Sequence, residues 1–263
     1  MNYKKINFAK YSSIKIGPII NVAILDQCSD YSKEFHIIGG CNNILVGPNP
    51  PKLMMLSKKF NYIKIENNLL KIGGATPSGQ IVSFCKKNDI SNFEFLAHLP
   101  GKLGGLVFMN AGVKEYEIFN NLVEITTCSH KKKKCEIDFT YRKTDIKEPI
   151  LEASFKIEKG FNSQRVLDLK KMRSNQPSDP SAGSCFKNPP QHFAGKLIEE
   201  LKIKGIPYGS MEFSTQHANF LINKGDGQFK DAISLINKVQ KEVYSQFNIK
   251  MELEIEILDK NYL

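Results

Sequence analysis

Apolar and polar residues alternate in short runs along the first 157 residues, and Gly, Pro and Asn residues separate the runs. Alternation with a period of two is typical of strands with one buried face, because successive side chains point to opposite sides of a sheet. In the run 135–141, Cys135 and Ile137 lie on the apolar face, so Arg142 is expected on the opposite face. The pattern predicts strands at residues 37–38, 63–65, 69–72, 122–127 and 135–141.

One helix is predicted within this half, at residues 76–88. Thr76 can cap its first turn, and Pro77 suits a first turn because the N–H that proline lacks has no partner there. Ile81, Val82 and Cys85 then give the helix a buried face.

The apolar spacing changes to three and four residues after a strand at 151–157, which predicts helices at 164–173, 193–201 and 229–247. In a closing strand at 250–258, Glu252, Glu254 and Glu256 share one face and apolar residues share the other. We expect an α+β chain of two domains, residues 1–157 and 158–263. The longest helix carries an apolar stripe formed by Phe229, Ala232, Ile233, Ile236, Val239, Val243 and Phe247.

The chain has 263 residues, enough to bury roughly three quarters of its unfolded surface without disulfides or a metal. The first residues lack an apolar secretion signal, and no apolar run is long enough to cross a bilayer, so a soluble, cytoplasmic protein is expected. The six cysteines form no Cys-x-x-Cys pair and are interpreted as reduced, mostly buried thiols. Cys128, His130 and Cys135 are the nearest approach to a metal site, but the lysines between them would repel a cation, so no metal is predicted.

A net charge of +10 favours an anionic partner, either a nucleic acid or an anionic nucleotide substrate. The densest basic run, residues 131–134, lies between two predicted strands and is interpreted as a solvated hairpin loop. No helix-turn-helix, zinc-finger or aromatic RNA-binding motif accompanies the charge, which argues against nucleic acid.

Two glycine-rich loops are candidates for holding phosphate groups. The first, residues 38–46, sets Gly39 and Gly40 before Cys41, Asn42 and Asn43, and its backbone N–H groups could approach a pyrophosphate, although an ordinary turn has the same composition. The second loop spans residues 99–112 and ends in Asn-Ala-Gly. Two such loops suit one long dinucleotide, and neither has the spacing of a Rossmann motif or a P-loop.

A long polar loop at residues 173–189 is rich in turn residues, and ordered loops of this kind usually carry function. Ser184 lies in this loop. It lacks the Gly-x-Ser-x-Gly context of a hydrolase nucleophile, so a hydroxyl that donates a proton is the role left open.

Together these segments resemble the UDP-N-acetylenolpyruvoylglucosamine reductase family, in the family's order, over residues 11–258. The specific parts are the second glycine loop, with Pro-Gly-x-Leu-Gly-Gly and Met-Asn-Ala-Gly, and the serine loop. Four further motifs agree: Tyr141-Arg142, Ala-Gly-Lys-Leu-Ile-Glu at 194–199, His-Ala-Asn-Phe at 217–220 and the terminal Glu254 strand.

The resemblance implies an FAD-binding domain of the vanillyl-alcohol-oxidase (PCMH) type followed by a smaller substrate domain. It implies non-covalent FAD, NADPH as hydride donor, and reduction of UDP-N-acetylglucosamine enolpyruvate to UDP-N-acetylmuramate for the cell wall, with no nucleic acid or membrane partner. Catalytic roles carry over to Arg142, Ser184 and Glu254. The implied cofactor residues are Gly39, Gly40, Cys41, Asn42, Asn43, Ile44, Leu45, Pro100, Gly101, Gly104, Gly105, Asn110, Ala111 and Gly112. The implied substrate residues are Tyr141, Gln176, Lys187, Asn188 and His217.

The chain departs from the family pattern at two places. Cys41 and Asn42 stand where the family usually has Gly and Ser, and the tyrosine-bearing insertion of longer members is absent after Arg142. From the residues alone, Arg142 and Glu254 could also be solvated charges. A flavin oxidase of the same fold would share both glycine loops, and a basic nucleic-acid-binding module would explain only the charge.

Overall fold

The computed structural model describes residues 1–262, which form two compact units. The first unit comprises Met1–Lys4, Asn21–Gly40 and Lys52–Ser174, and the second comprises Lys5–Ile20, Cys41–Pro51 and the chain from Asn175 onward. The helices are α1 (Phe8–Tyr11), α2 (Ser78–Lys87), α3 (Leu103–Phe108), α4 (Ser163–Met172), α5 (Ala194–Glu200) and α6 (Phe229–Phe247).

Most strands follow one another in two runs, at residues 19–73 and 112–156, without an α-helix inside either run. Four short 3-10 segments occur at Cys28–Asp30, Lys58–Phe60, Glu94–His98 and Lys134–Glu136. The strands of the first half are β1 (Asn2–Asn7), β2 (Ile19–Leu25), β3 (His36–Ile38), β4 (Ile44–Val46), β5 (Leu53–Leu56), β6 (Ile63–Glu66), β7 (Leu69–Gly73), β8 (Gly112–Val113), β9 (Tyr116–Glu117), β10 (Leu122–Thr126), β11 (Lys131–Lys133), β12 (Phe139–Thr140), β13 (Lys143–Thr144) and β14 (Glu152–Lys156). The later strands are β15 (Ser181–Ser184), β16 (Met211–Phe213), β17 (Phe220–Asn223) and β18 (Glu256–Leu258).

The first unit is built around a five-stranded antiparallel sheet in the order β11-β10-β14-β7-β6. Apolar residues of β7, β10 and β14 form its buried face and pack against α2 and α3. A second sheet has the order β1-β2-β5-β3, with β5 parallel to both β2 and β3. Helix α3 packs closely because residue 104 is glycine: a Cβ there would lie 3.2 Å from the carbonyl oxygen of Gly74.

The second unit places α5 and α6 against a three-stranded sheet in the order β15-β17-β16. A parallel pair, β4 and β18, belongs to the same unit. Helix α6 has the predicted bounds, and its stripe is buried at Ala232, Ile233, Ile236, Val239 and Val243. The α+β organisation expected from the pattern is therefore present, with strands and helices in both units.

The division into units differs from the single cut expected at residue 158. Helix α4 folds with the first unit because the buried Glu94 carboxylate accepts a hydrogen bond from the backbone N–H of Asn162, at 2.7 Å, just before that helix. Ile14, Ile16 and Leu45 join the apolar core of the second unit. Short early segments therefore supply core residues to the later unit. A division of the chain at one point, where strand-like spacing changes to helix-like spacing, does not predict this.

The strand predicted at 135–141 is wrong. Residues Lys134–Glu136 form a 3-10 turn, and only Phe139–Thr140 are extended, paired antiparallel with Lys143–Thr144. Arg142 lies in the turn between these two short strands with φ of 57°. Its backbone is left-handed, so its side-chain direction does not follow from strand alternation.

Three local predictions also need correction. The Thr76 hydroxyl does not cap α2 but donates a hydrogen bond to the carbonyl of Tyr62 at 3.1 Å. The lysine run is not only a loop, since Lys131–Lys133 form the edge strand β11. Of the strand predicted at 250–258, the structure assigns only Glu256–Leu258 as β18.

Within residues 1–262, no helix combines the length and apolarity that crossing a membrane requires. The same part of the chain holds no cluster of three or more His, Cys, Asp or Glu side chains suited to a metal ion. Three of the six cysteines, Cys41, Cys85 and Cys185, are buried, Cys128 is half-buried, and Cys28 and Cys135 are exposed. Burial raises the pKa of Cys85 to about 12 and raises the pKa of Cys185 well above its ordinary value.

Brief alkylation of the native protein at about pH 8 should modify Cys28 and Cys135 and leave Cys85 and Cys185 unmodified. A raised pKa keeps a thiol protonated at that pH, whereas the thiolate is the nucleophile, and burial also excludes the reagent. Mass spectrometry of peptides after a short pulse of iodoacetamide measures this. Labelling of Cys185 as fast as that of Cys135 would contradict the described burial.

The substitution Ile236→Ala should lower the free energy of unfolding by about 2–5 kcal/mol, because it leaves a cavity beneath α6. Ile236 has only 1% of its surface exposed. The matched control is Lys241→Ala, an exposed position on the same helix, which should change stability by less than about 0.5 kcal/mol. Equal denaturant midpoints for the two variants would show that this face does not pack as described.

Candidate active site

The first glycine loop runs from the end of β3 to the start of β4. In the first unit, a Cβ built at Gly39 would lie 3.9 Å from the Cβ of Lys102, so this end of the loop lies beside the second glycine loop. Gly40 follows in the same unit, and the remaining predicted residues, Cys41, Asn42, Asn43, Ile44 and Leu45, fold with the second unit. Gly39 of the first glycine loop therefore lies beside Lys102 of the second.

Cys41 has a left-handed backbone, with φ of 52°, and is buried. Glycine adopts this conformation without strain, and other residues do so less readily. The carbonyl oxygen of Cys41 accepts a hydrogen bond from the backbone N–H of Ser13 at 3.1 Å. This hydrogen bond helps to hold the backbone of the loop at residue 41.

The second glycine loop is partly helical. Pro100 and Gly101 precede α3, Gly104 and Gly105 lie within it, and Asn110, Ala111 and Gly112 follow it. Gly112 is needed for close packing in the hairpin of β8 and β9, because a Cβ there would lie 2.9 Å from the Cα of Glu117. At Gly105, by contrast, an added Cβ would meet no atom of the described residues within 4 Å.

The Arg142 guanidinium is held by two backbone carbonyls at the end of this loop. Nη1 donates to the carbonyl of Asn110 at 3.2 Å, and Nη2 donates to the carbonyl of Gly112 at 2.6 Å. The guanidinium also lies against the Tyr141 ring, 4.9 Å from its centroid. Both carbonyl acceptors are neutral, so they orient the cation without cancelling its charge.

Glu254 is hydrogen-bonded to the backbone of Cys185, the residue that follows Ser184. The backbone N–H of Glu254 donates to the carbonyl of Cys185 at 2.9 Å, and Ser184 is the preceding residue at the end of β15. Burial, and next the nearby Glu254 carboxylate, raise the pKa of Cys185. The Asn43 side-chain amide donates to the Glu254 carbonyl at 2.8 Å, which joins the first glycine loop to this site within the second unit.

Of the three glutamates predicted on one strand face, Glu252 differs from Glu254 and Glu256, which are both half-buried. Glu252 is exposed, and its carboxylate lies 3.5 Å from the ammonium group of Lys187. Glu254 is half-buried beside the serine loop. Glu254 is therefore more shielded from water than Glu252.

The predicted substrate residues divide between the two units. Tyr141 is exposed in the first unit, and Gln176, Lys187, Asn188 and His217 belong to the second. The Asn188 carboxamide oxygen accepts a hydrogen bond from the backbone N–H of Ala194 at 3.0 Å, at the start of α5. His217 Nδ1 accepts a hydrogen bond from the backbone N–H of Asn219 at 3.3 Å. Asn188 and His217 thus help to organise the loops that carry them.

Asn219 and Glu117 are important residues that the sequence-based set omitted. The buried side-chain amide of Asn219 makes two hydrogen bonds to the backbone of Phe186. The backbone carbonyl of Asn219 accepts a hydrogen bond from the N–H of Cys185. The motif at residues 217–220 was the available signal for Asn219. Glu117 accepts a hydrogen bond from the Asn110 amide at 2.9 Å, and nothing in its local sequence marks it.

The first unit has features that fit a dinucleotide cofactor such as FAD. The Asn110 carboxamide oxygen is buried and has no hydrogen-bond partner among residues 1–262, so it can accept from a hydroxyl or N–H of a bound group. A Cβ at Gly105 would meet no atom of the described residues within 4 Å, so there is space beside α3 for such a group. Gly105 and Asn110 therefore fit a bound cofactor.

Comparison with known proteins shows which family the chain is similar to. Residues 176–258 match the model of the UDP-N-acetylenolpyruvoylglucosamine reductase C-terminal domain. The chain is 46% identical to the UDP-N-acetylenolpyruvoylglucosamine reductase of Helicobacter hepaticus, over 96% of this chain and 98% of that one. The reductase of the same name from Campylobacter jejuni strain RM1221 is 42% identical, over 96% of this chain and 99% of that one.

A solved structure is also similar along the whole chain. The UDP-N-acetylenolpyruvylglucosamine reductase (MurB) of Thermus caldophilus superposes with a TM-score of 0.87 at 25% identity, and the match covers 98% of this chain and 99% of that chain. The predicted fold class and the resemblance stated from the motifs are both confirmed. The chain belongs to the UDP-N-acetylenolpyruvoylglucosamine reductase family.

Proposed function

We propose that this protein catalyses the FAD-dependent, NADPH-driven reduction of UDP-N-acetylglucosamine enolpyruvate to UDP-N-acetylmuramate in peptidoglycan synthesis. The observation that carries the proposal is the backbone hydrogen bond from the N–H of the half-buried Glu254 to the carbonyl of Cys185, the residue that follows Ser184. The second support is Arg142, whose cation is oriented by neutral carbonyls. Family membership supports the reductase class.

The chemistry that bound FAD would supply is hydride transfer from the nicotinamide to the substrate. The two glycine loops would hold the cofactor through backbone N–H groups, and Asn110 would accept one hydrogen bond from it. The formal net charge of +10 favours both anionic nucleotides, NADPH and the sugar nucleotide.

Arg142 would stabilise the substrate during hydride transfer. Addition of hydride to the methylene carbon of the enol ether moves negative charge towards the carboxylate side of the molecule. A guanidinium can bind that carboxylate through two parallel hydrogen bonds and remains charged at every working pH. Because carbonyls at 3.2 and 2.6 Å already fix the cation, little reorganisation is needed as the charge develops.

Ser184 would deliver the proton that completes the reduction, to the carbon bearing the carboxylate. That carbon is carbanion-like after hydride addition and basic enough to take a proton from a hydroxyl. Glu254 would lie against the same carboxylate and share a proton with it. Cys185, the residue next to Ser184, is fully buried in the apolar core and is therefore a poor substitute donor.

A product assay separates this proposal from a flavin oxidase on the same fold. The purified protein is mixed in air with NADPH and UDP-N-acetylglucosamine enolpyruvate, and both the nucleotide product and hydrogen peroxide are measured. We expect a product heavier by two hydrogens, formed in proportion to the NADPH consumed. Peroxide formation with unchanged sugar nucleotide would favour the oxidase.

FAD should bind without a covalent link, because the features that fit it are backbone groups and the Asn110 amide. Precipitation with acid should release all of the yellow colour into the supernatant, where its identity can be established by chromatography. Pigment that stays on the denatured chain would contradict this prediction.

Arg142→Ala should lower turnover by about a hundredfold or more while flavin stays bound, since it removes the charge that faces the developing carboxylate. Arg142→Lys should recover only part of the loss, because an ammonium group lacks the planar pair of donors. Lys143→Ala, at the exposed neighbouring position, is the matched control. Turnover of Arg142→Ala close to that of the control would remove Arg142 from the site.

Ser184→Ala should separate the two half-reactions. Reduction of flavin by NADPH requires no proton at the substrate carbon and should keep its rate, whereas reoxidation by the enolpyruvyl substrate should slow by about two to four powers of ten. Stopped-flow absorbance measures both rates. The double variant Ser184→Ala/Cys185→Ala excludes rescue by the adjacent thiol, and wild-type reoxidation in that background would place the acid elsewhere.

A further inference from the structure

The Asn110 side-chain amide links the hairpin that carries Gly112 to the hairpin that carries Arg142. Its Nδ2 donates to the carboxylate of Glu117 at 2.9 Å and to the carbonyl of Thr140 at 3.2 Å. Thr140 belongs to β12, two residues before Arg142. Both hydrogens of one buried amide are therefore used to hold two separate short hairpins together.

The hydrogen bond to Glu117 fixes the orientation of the Asn110 side-chain amide. An ionised carboxylate only accepts hydrogen bonds, so the amide must turn its NH₂ group towards Glu117. The carboxamide oxygen of Asn110 then points elsewhere, into the position where it is buried and without a partner among residues 1–262. Glu117 thus sets the direction of the Asn110 carboxamide oxygen, which fits the cofactor, and supports the hydrogen bond from Asn110 to Thr140.

The same residues support the Arg142 guanidinium. Its two carbonyl acceptors belong to Asn110 and Gly112, and Gly112 pairs with Glu117 across β8 and β9. Asn110 itself is fully buried and has a left-handed backbone, with φ of 45°. This conformation is uncommon outside glycine, so the side-chain bonds that hold it matter for where its carbonyl points.

We infer that Glu117 is a positioning residue for Arg142, acting through the side chain and carbonyl of Asn110. This inference rests on the proposed function, in which Arg142 stabilises charge during reduction of the enolpyruvyl substrate. Glu117 orients the Asn110 amide, Asn110 and Gly112 present their carbonyls to the guanidinium, and Asn110 ties β12 to the same point. Removing the Glu117 carboxylate should make the orientation of the Arg142 guanidinium less fixed, although the guanidinium itself is still present.

Three variants test this role at saturating FAD. Glu117→Ala removes the acceptor, Glu117→Gln restores an oxygen that can accept from Asn110, and Glu115→Ala removes an exposed carboxylate two residues earlier as the matched control. In stopped flow, Glu117→Ala should keep its rate of reduction by NADPH within about threefold and be reoxidised by the enolpyruvyl substrate about tenfold more slowly or worse. Glu117→Gln and Glu115→Ala should be reoxidised within about threefold of wild type.

A double-variant cycle tests whether the slower reoxidation of Glu117→Ala depends on Arg142. In an Arg142→Ala background, Glu117→Ala should change reoxidation by less than about twofold, because the group it positions is gone. An equal slowing by Glu117→Ala in both backgrounds would overturn the inference. So would equal losses in the two half-reactions, which would indicate a general structural effect.

NMR of asparagine-labelled protein, with and without FAD, provides a readout independent of turnover. The Asn110 amide protons, assigned by their absence in Asn110→Asp, should exchange slowly in wild type, Glu115→Ala and Glu117→Gln, and about tenfold faster in Glu117→Ala. Unchanged protection in Glu117→Ala would overturn the inference. Failure of the wild-type protein to be reoxidised by the enolpyruvyl substrate would overturn the proposed function, whereas normal wild-type reoxidation together with an unaffected Glu117→Ala would overturn only the role of Glu117.

Discussion

The guanidinium of Arg142 rests on the carbonyls of Asn110 and Gly112, and most of the chemistry proposed for the first unit depends on that contact. The contact requires a left-handed Asn110, a left-handed Arg142 and a glycine at position 112 that lets β9 approach. Each of these is a backbone requirement. The cation is therefore oriented by the path of the chain, through carbonyl dipoles that do not neutralise it.

The second unit uses the same kind of support. The hydrogen bond from the Glu254 N–H to the Cys185 carbonyl fixes the glutamate beside the serine loop, and the Asn219 amide fixes the loop through Phe186. Asn43 then binds the carbonyl of Glu254. In both units, hydrogen bonds to backbone carbonyls help to position a residue of the proposed site, Arg142 in the first and Glu254 in the second.

Patterns in the sequence predicted the long elements well and the short ones poorly. Helix α6 has the predicted bounds because its apolar stripe continues over five turns and dominates local choices. The strand expected at 135–141 failed because the left-handed Arg142 turn and a 3-10 segment interrupt an alternating run. Alternation over seven residues cannot reveal a positive φ at a residue that is not glycine.

The site residues, like the helices and strands, could be predicted from the sequence only in part. The family resemblance implied roles for Arg142, Ser184 and Glu254, and the structure shows a hydrogen bond from Glu254 to Cys185, the residue after Ser184. Glu117 escaped notice because its importance arises from one hydrogen bond to Asn110 across a hairpin, and no sequence pattern encodes that bond.

The central claim, that this chain reduces an enolpyruvyl sugar nucleotide through a bound flavin, is tested most directly by an anaerobic single turnover. Flavin absorbance is followed while one equivalent of NADPH and then one equivalent of UDP-N-acetylglucosamine enolpyruvate are added to the wild-type protein. The account predicts bleaching by NADPH and full return of the oxidised spectrum with the sugar nucleotide, with one equivalent of UDP-N-acetylmuramate formed. A flavin that stays reduced after the sugar nucleotide is added would contradict it.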